Sequence, residues 1–355
     1  MPDWTKSMEQ TYEYYEVDPA TWTDKAKITN VISSSIKRDL SNDTGGSASF
    51  KVDSDLGELY IRTYLVVTQN RITERFPLGT HLCQTTGEGH DGKTKSITLD
   101  AYGSLLELKD NRPPIGYSLA SGVNILNAAT NLVTENCRAP VVGGSSSDST
   151  LEQPFVSDLN DTWFSYLSDL LLCTKYYMDC DEMGRVLFMP IQDARSLQPV
   201  WLFDDGNSSI LQPSLDVDRD LYGIPNVLEV VYTKDDGTYM YSKVENTDSD
   251  SPISIQNRGR RVVERITNPE LNGSIPTQIQ LDAYAKQKLR DLSSLEYTVT
   301  YTHGYCPVRV GDCVVLNYER AGLRNTRAKV TRQSISCETG CQVQETAVYT
   351  KSLWG

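Results

Sequence analysis

The residues of this chain that could do chemistry are few, and their spacing decides what each could do. Cys337-Glu-Thr-Gly-Cys341 leaves three residues between two sulfurs, enough for half of a metal site. Structural zinc takes four ligands at tight spacings. No second close pair follows: six residues lie between Cys173 and Cys180, and His303 is isolated. Reduced, partly buried thiols are therefore expected at Cys83, Cys137, Cys173, Cys180, Cys306, Cys313, Cys337 and Cys341. Asp216-Val-Asp218-Arg-Asp220 starts like a calcium loop but lacks the glycine at the sixth place and the glutamate at the twelfth, so a solvated acidic loop is expected. Of the three histidines, His81, His90 and His303, only His90 has an acidic neighbour, Asp91. It lies in a hairpin loop, Thr86 to Gly92, with no Gly-x-Ser-x-Gly elbow in the chain. Asp100 and Glu107 flank Tyr102 and could imitate a glycosidase carboxylate pair, yet acidic residues on the polar side of a strand are common. No catalytic, cofactor-binding or metal-binding residue is expected, and no enzyme.

The elements that would have to position such groups are mostly strands. Ser47 to Val52 alternates, with Ala48, Phe50 and Val52 on one face. Leu59 to Val67 sets Ile61, Thr63, Leu65 and Val67 against Tyr60, Arg62, Tyr64 and Val66, and Lys95 to Leu105 carries Ile97, Leu99 and Ala101 on one face. A second strand-rich stretch runs from Glu296 to Val348, with a Val310-Gly311-Asp312 turn. Between them the period becomes helical. Ala120 to Val133 is expected as a helix with Ser121 as N-cap, and Thr162 to Leu172 as another, capped by Asn160 or Asp161. Hairpins are expected at 176–190, turning at Asp181 to Gly184, and at 227–244, turning at Lys234 to Gly237. A helix over 277–292 places Leu281, Tyr284, Ala285, Leu289 and Leu292 on one stripe. Gly143 to Ser149 reads as a flexible loop, and residues 1–20, with Tyr12, Tyr14 and Tyr15, as an arm docking on a neighbour.

Composition bounds the function. At 355 residues, 39% hydrophobic and 23% charged, the chain is globular, with two or three domains expected. No apolar run approaches the roughly 20 residues of a membrane helix, and Met1 to Glu16 lacks a basic region leading into an apolar core, so folding in a cytoplasm is expected. A net charge of −13 argues against a general nucleic-acid-binding surface, which needs Lys and Arg for phosphate contacts. An acidic wall could still surround DNA without gripping it.

The order of these segments resembles the hub proteins of tailed-phage baseplates, including the N-terminal hub part of tail-associated proteins. The marks are Ser33 to Phe50, Phe76-Pro77-Leu78-Gly79-Thr80, Ser96 to Leu108 with Asp100-Ala101-Tyr102, and the last helix followed by Val310-Gly311-Asp312. Gly103 departs from the acidic residue that often follows the family's Tyr. The resemblance covers about residues 20–350. It implies a mainly β, α+β chain with two tube-like antiparallel β-barrels and helical and α/β inserts, three chains making a pseudo-hexameric ring. The expected division is an arm at 1–23, a first barrel at 24–108, a helical and hairpin insert at 109–205, the start of the second barrel at 206–245, a small α/β insert at 246–294, and the rest of the second barrel at 295–355. It implies a structural virion protein at the distal end of a tail, assembled in the host cytoplasm. Its partners would be two further copies, a distal tail protein or tail tube ring, and a tail tip, fibre or tape-measure protein. Genomic DNA would pass through the lumen without specific binding, and nothing would insert into a membrane. With the chain reaching only Gly355, no appended lysozyme or receptor-binding module is expected. The other classes weighed are a carbohydrate-binding β-rich host-recognition module and a cell-wall hydrolase. The loops at Asp53-Ser54-Asp55, Asp216 to Asp220 and Asp235-Asp236 are expected to be exposed and acidic.

Overall fold

The computed structural model describes residues 1–354 except 91, 93, 94, 144, 145, 207, 235 and 271–276. The chain divides into two compact units, Met1–Leu215 with Thr300–Ala347, and Asp216–Val299 with Val348–Gly355.

In the first unit, strands β1 (Glu9–Asp18), β2 (Thr23–Ile28), β3 (Val31–Asp39), β4 (Ser47–Val52), β5 (Tyr60–Gln69), β6 (Ile72–His90) and β7 (Lys95–Tyr102) come first. A helical stretch follows, with α1 (Leu106–Asp110), the two-residue strand β8 (Ser118–Leu119), α2 (Ile125–Asn136), β9 (Phe155–Val156) and α3 (Trp163–Leu172). It leads into the hairpin β10 (Tyr176–Cys180) and β11 (Val186–Pro190), then β12 (Pro199–Asp204) and β13 (Leu211–Arg219). The second unit holds β14 (Val227–Thr233), β15 (Tyr239–Glu245), α4 (Ile255–Arg258), β16 (Val263–Thr267) and α5 (Gln278–Leu292). β17 (Ser294–Gly304), β18 (Cys313–Tyr318), β19 (Leu323–Ser336) and β20 (Gln342–Ser352) complete the chain. β13, β17 and β20 give residues to both units. No helix among the described residues is long and apolar enough to cross a membrane.

The strand-rich ends of the chain meet in one sheet. Its order is β13-β17-β20-β19-β3-β4-β7-β6-β5-β1-β2, with β18 beside β19 and β12 parallel to β18. The join is β3 against β19, antiparallel, with Ile36 opposite Ile335. Among the described residues this order runs as one path, with β18 and β12 branching from β19. The expected arm is also part of the sheet: β1 lies antiparallel between β5 and β2, because its Tyr14 and Val17 are buried there.

Alternation sets the faces. Ala48, Phe50, Val52, Ile97, Leu99 and Ala101 are buried as their parity requires. β5 departs from this expectation: Tyr60 through Leu65 are all buried, so the face expected to be wet is covered. Tyr60 and Leu82 belong to a cluster with Leu105 and Leu108 and with the apolar faces of α2 and α3, Leu126, Ala129, Leu132, Leu167, Leu170 and Leu171 among them. Each such aliphatic side chain, fully buried, contributes about 1.5–3 kcal/mol. The β5–β6 hairpin turns in two residues, Asn70 and Arg71, both at positive φ as a type I′ turn requires.

The helices sit where the period placed them, with different caps. α2 starts at Ile125, and its N-cap is Asn124 rather than Ser121, since the Asn124 side chain accepts from the Asn127 N–H. α3 is capped by Thr162, and Asp161 accepts from Ser165 Oγ beside it. α5 begins with a capping box, Thr277 with Gln280.

The hairpin at 227–245 is present as β14–β15 but does not open the second half of the large sheet, as had been expected. It forms a three-stranded sheet with β16, which runs parallel to β14. The physical reason is its apolar face: Leu228 and Val230 pack on Leu281, Ala285 and Leu289 of α5.

Candidate functional surface

Over β7, β4, β3 and β19 one face of the large sheet is apolar and buried, and the other is polar and rich in small hydroxyl side chains. In register, Ser35 lies opposite Ser49, Ser49 opposite Asp100, Lys37 opposite Ser47, Ser47 opposite Tyr102, and Lys51 opposite Thr98. Across the join, Ser35 faces Ser336, Lys37 faces Ser334, and Asp39 faces Arg332, paired at 2.7 Å. Thr300 Oγ1 on β17 meets Thr346 Oγ1 on β20 at 3.4 Å. A shallow polar depression of about 170 Å³ opens on Ser35, Lys37, Ser47, Ser49, Asp100 and Tyr102. Lys37, Lys51 and Arg332 share this face with Asp39 and Asp100, so its charges are mixed in sign and it has no continuous basic track.

Beneath this surface lies a sealed polar network. Glu345 on β20 is 0% exposed. It accepts from Tyr301 Oη at 2.7 Å and from Gln333 Nε2 at 2.8 Å, and lies 3.4 Å from His303 Nε2. Burial, and then the Glu345 carboxylate, push the Tyr301 phenol far above its ordinary pKa, so it stays a donor. Gln333 in turn accepts from Arg38 at 2.9 Å, linking β19 to β3. Cys306 Sγ is 3.8 Å from His303 Nδ1, which makes a Cys–His–Glu set in composition. The geometry denies it nucleophile chemistry. His303 Nδ1 is 2.6 Å from the Gly304 carbonyl, which assigns its N–H to that oxygen and leaves no lone pair for the thiol proton. All three side chains are shut from solvent, and burial raises the Cys306 thiol pKa well above its ordinary value.

The other sequence candidates are dispersed. Cys337 and Cys341 are buried, their thiols pushed up by burial to about 12 and about 11, under a turn to whose Glu338 carbonyl Tyr12 donates at 2.7 Å. No group of three or more metal-ligating side chains occurs among the described residues. His90 is exposed at the end of β6, opposite Lys95; Asp91 lies outside the described residues. Asp216 and Asp218 are exposed on one face of β13, so they belong to a strand and not to a loop, because Leu215 and Val217 alternate with them. Asp220 caps the Tyr222 N–H. Glu107 is engaged by Tyr60 Oη at 2.6 Å and by Arg138, while Asp100 stands on the hydroxyl face. Asp53, Asp55 and Asp236 are exposed; Asp235 lies outside the described residues.

Sequence reasoning did not single out the arginines that hold the β10–β11 tip. Arg62, 1% exposed, binds Asp24 at 2.8 Å and donates to Thr80 Oγ1, the Trp22 carbonyl and the Met183 carbonyl. Arg309 and Arg38 reach Glu182 at 2.7 and 3.3 Å. Gly184, at φ +72°, comes so close to Thr80 that a Cβ would lie 2.7 Å from it. The available signal was an arginine in the middle of an otherwise apolar strand.

The fold is similar to that of phage tail proteins, and the resemblance read from the sequence holds at that level. The tail protein of Neisseria meningitidis MC58 superposes with a TM-score of 0.63 at 12% identity, over 97% of this chain and 98% of that one. The 43 kDa tail protein of prophage MuSo2 from Shewanella oneidensis gives 0.61 at 11% identity, over 96% and 98%. A chain of the Francisella PdpA–VgrG complex gives 0.54 at 11% identity, over 98% of this chain but 53% of its own. No sequence-family profile and no curated protein sequence matches the chain.

Proposed function

We propose that the protein is a structural, non-enzymatic component of a virion tail: a trimeric hub at the distal end that continues the tail tube and encloses a path for DNA. The observation that carries this reading is the hydroxyl face, continuous across β7, β4, β3 and β19 and therefore shared by the two strand-rich ends, 24–108 and 295–350. Each end supplies one tube-like segment, and three chains give six. Neutral hydroxyls offer passing phosphates water-like partners without the ion release that makes Lys and Arg surfaces grip. The net charge of −13 adds repulsion at longer range. A tail tube ring or distal tail protein would contact one rim, and a tip, fibre or tape-measure protein the other.

Electron microscopy of assembled particles tests this. The expected image has three copies around the tail axis at its distal end, with Ser35, Ser49 and Thr98 facing the lumen. A peripheral position, or a lumen lined by lysine and arginine, overturns it.

A further inference from the structure

Helix α3 carries Phe164, Ser168 and Leu172 at four-residue intervals, and this face forms one wall of an open groove of about 340 Å³. Met178, Ile191 and Lys329 line it further, together with the polar turn at 41–43 and the rings of Tyr176 and Tyr177. The volume is at the lower end of the roughly 300–1,000 Å³ of small-molecule sites, room for a few side chains and not for a whole element. Leu172 and Ile191 are 55% and 51% exposed, large for aliphatic side chains with apolar neighbours. The groove also holds a cation. Lys329 Nζ donates to the Gln192 carbonyl at 3.1 Å; the Asp193 carboxylate acts on it from beyond ion-pair distance, and no carboxylate among the described residues is within 4 Å. Asp43 on the rim is already neutralised by Lys109 at 2.5 Å.

The segment leading into α3 has the opposite character. Val156 and Leu159 are 59% and 79% exposed, and Asp158 between them is exposed with no ion-pair partner among the described residues. Leu159 stands clear of the groove in its own chain. A knob and a groove of different composition on one chain make a heterologous pair, the kind that forms a ring when its rotation closes, whereas a two-fold interface would pair each patch with itself.

We propose that residues 156–159 of one copy enter the α3 groove of the next, Val156 and Leu159 on its apolar wall and Asp158 against Lys329. The inference rests on the trimer proposed above and names the surfaces that close it. Occupancy by a different tail protein is the outcome that would replace it.

Light scattering and sedimentation of the full chain over a range of concentrations test it with Lys329→Glu, Asp158→Lys, the double variant and Leu159→Ser. Each single charge reversal is expected to raise the half-assembly concentration by at least about tenfold, and the double variant to recover most of that. Leu159→Ser weakens assembly without rescue. Circular dichroism checks each fold, and Lys329→Gln with Asp158→Asn replaces any reversal that fails to fold, with the same weakening expected of each. A wild-type trimer unmoved by the single variants, or a double variant worse than both, overturns this contact and leaves the trimer standing. A wild-type chain that stays monomeric throughout overturns the trimer itself, and this contact with it.

Discussion

His81 on β6 and His303 on β17 lie in opposite halves of one sheet, 3% and 0% exposed, and each has one ring nitrogen with no hydrogen bond, Nδ1 in His81 and Nε2 in His303. Their company differs in sign. His81 has the Arg38 guanidinium nearby, and burial first, then that charge, push its pKa down to about 3. His303 has the Glu345 carboxylate 3.4 Å from Nε2. One ring is therefore a neutral filler, and the other belongs to a network that pins β17, β19 and β20 together. Arg38 touches both sides of the comparison, since it also donates to the Gln333 amide that serves Glu345. The two buried histidines thus do different jobs: His81 stays uncharged beside a cation, while His303 sits in a network that specifies strand pairing.

The largest expected effect comes from breaking the Glu345 network. Glu345→Leu removes the acceptor for Tyr301 and one of the two acceptors of Gln333 Nε2, and leaves the Tyr301 hydroxyl buried without a partner. Urea unfolding should show a loss of about 3–5 kcal/mol. A loss under about 1 kcal/mol would mean the network does not depend on the carboxylate. Glu345→Gln keeps an acceptor in place and should cost only about 1–2 kcal/mol.

His81 is tested by acid. The folded pKa of His81 lies below the ordinary 6.5, so the unfolded chain takes up the proton first. Its contribution is whole above about pH 6.5 and is lost as pH falls towards 3, by up to about 1.4 kcal/mol per pH unit. Unfolding midpoints measured across that window should flatten in His81→Leu; an unchanged acid limb would show that His81 is not the group titrating. The smallest effect is expected from Arg38→Met in the same experiment. It should raise the folded pKa of His81, so the loss levels off a fraction of a pH unit higher while its onset near 6.5 stays put, because burial outweighs the Arg38 charge among the causes. A large movement would reverse that order.

Much of this arrangement was readable where one face of a strand or helix is wet. Ala48, Phe50 and Val52 declare their face by alternation, and Leu281, Ala285 and Leu289 by helical spacing. Reading failed where a second layer covers the sheet. Tyr60 and Arg62 share the polar parity of β5, yet the helical cluster covers Tyr60 and the hairpin tip covers Arg62. Those contacts join residues more than a hundred positions apart, such as Arg62 and Met183, and leave no local periodicity. The β14–β15 hairpin is legible as a hairpin but its sheet is not, because a strand's own pattern states that it needs an apolar partner, not which one. The hydroxyl face was visible as serines out of phase with Ala48 and Phe50; its continuation across β3 and β19 depends on long-range register.

Seven of the eight cysteines are buried, and Cys173, at the C-cap of α3, is the exposed one. Burial pushes Cys83, Cys137 and Cys180 up to about 12, which keeps them protonated at neutral pH. The native chain thus presents a single addressable thiol, while the denatured chain presents eight. A maleimide-linked gold cluster would then mark each copy once, turning labelling stoichiometry into a direct count of subunits in a particle.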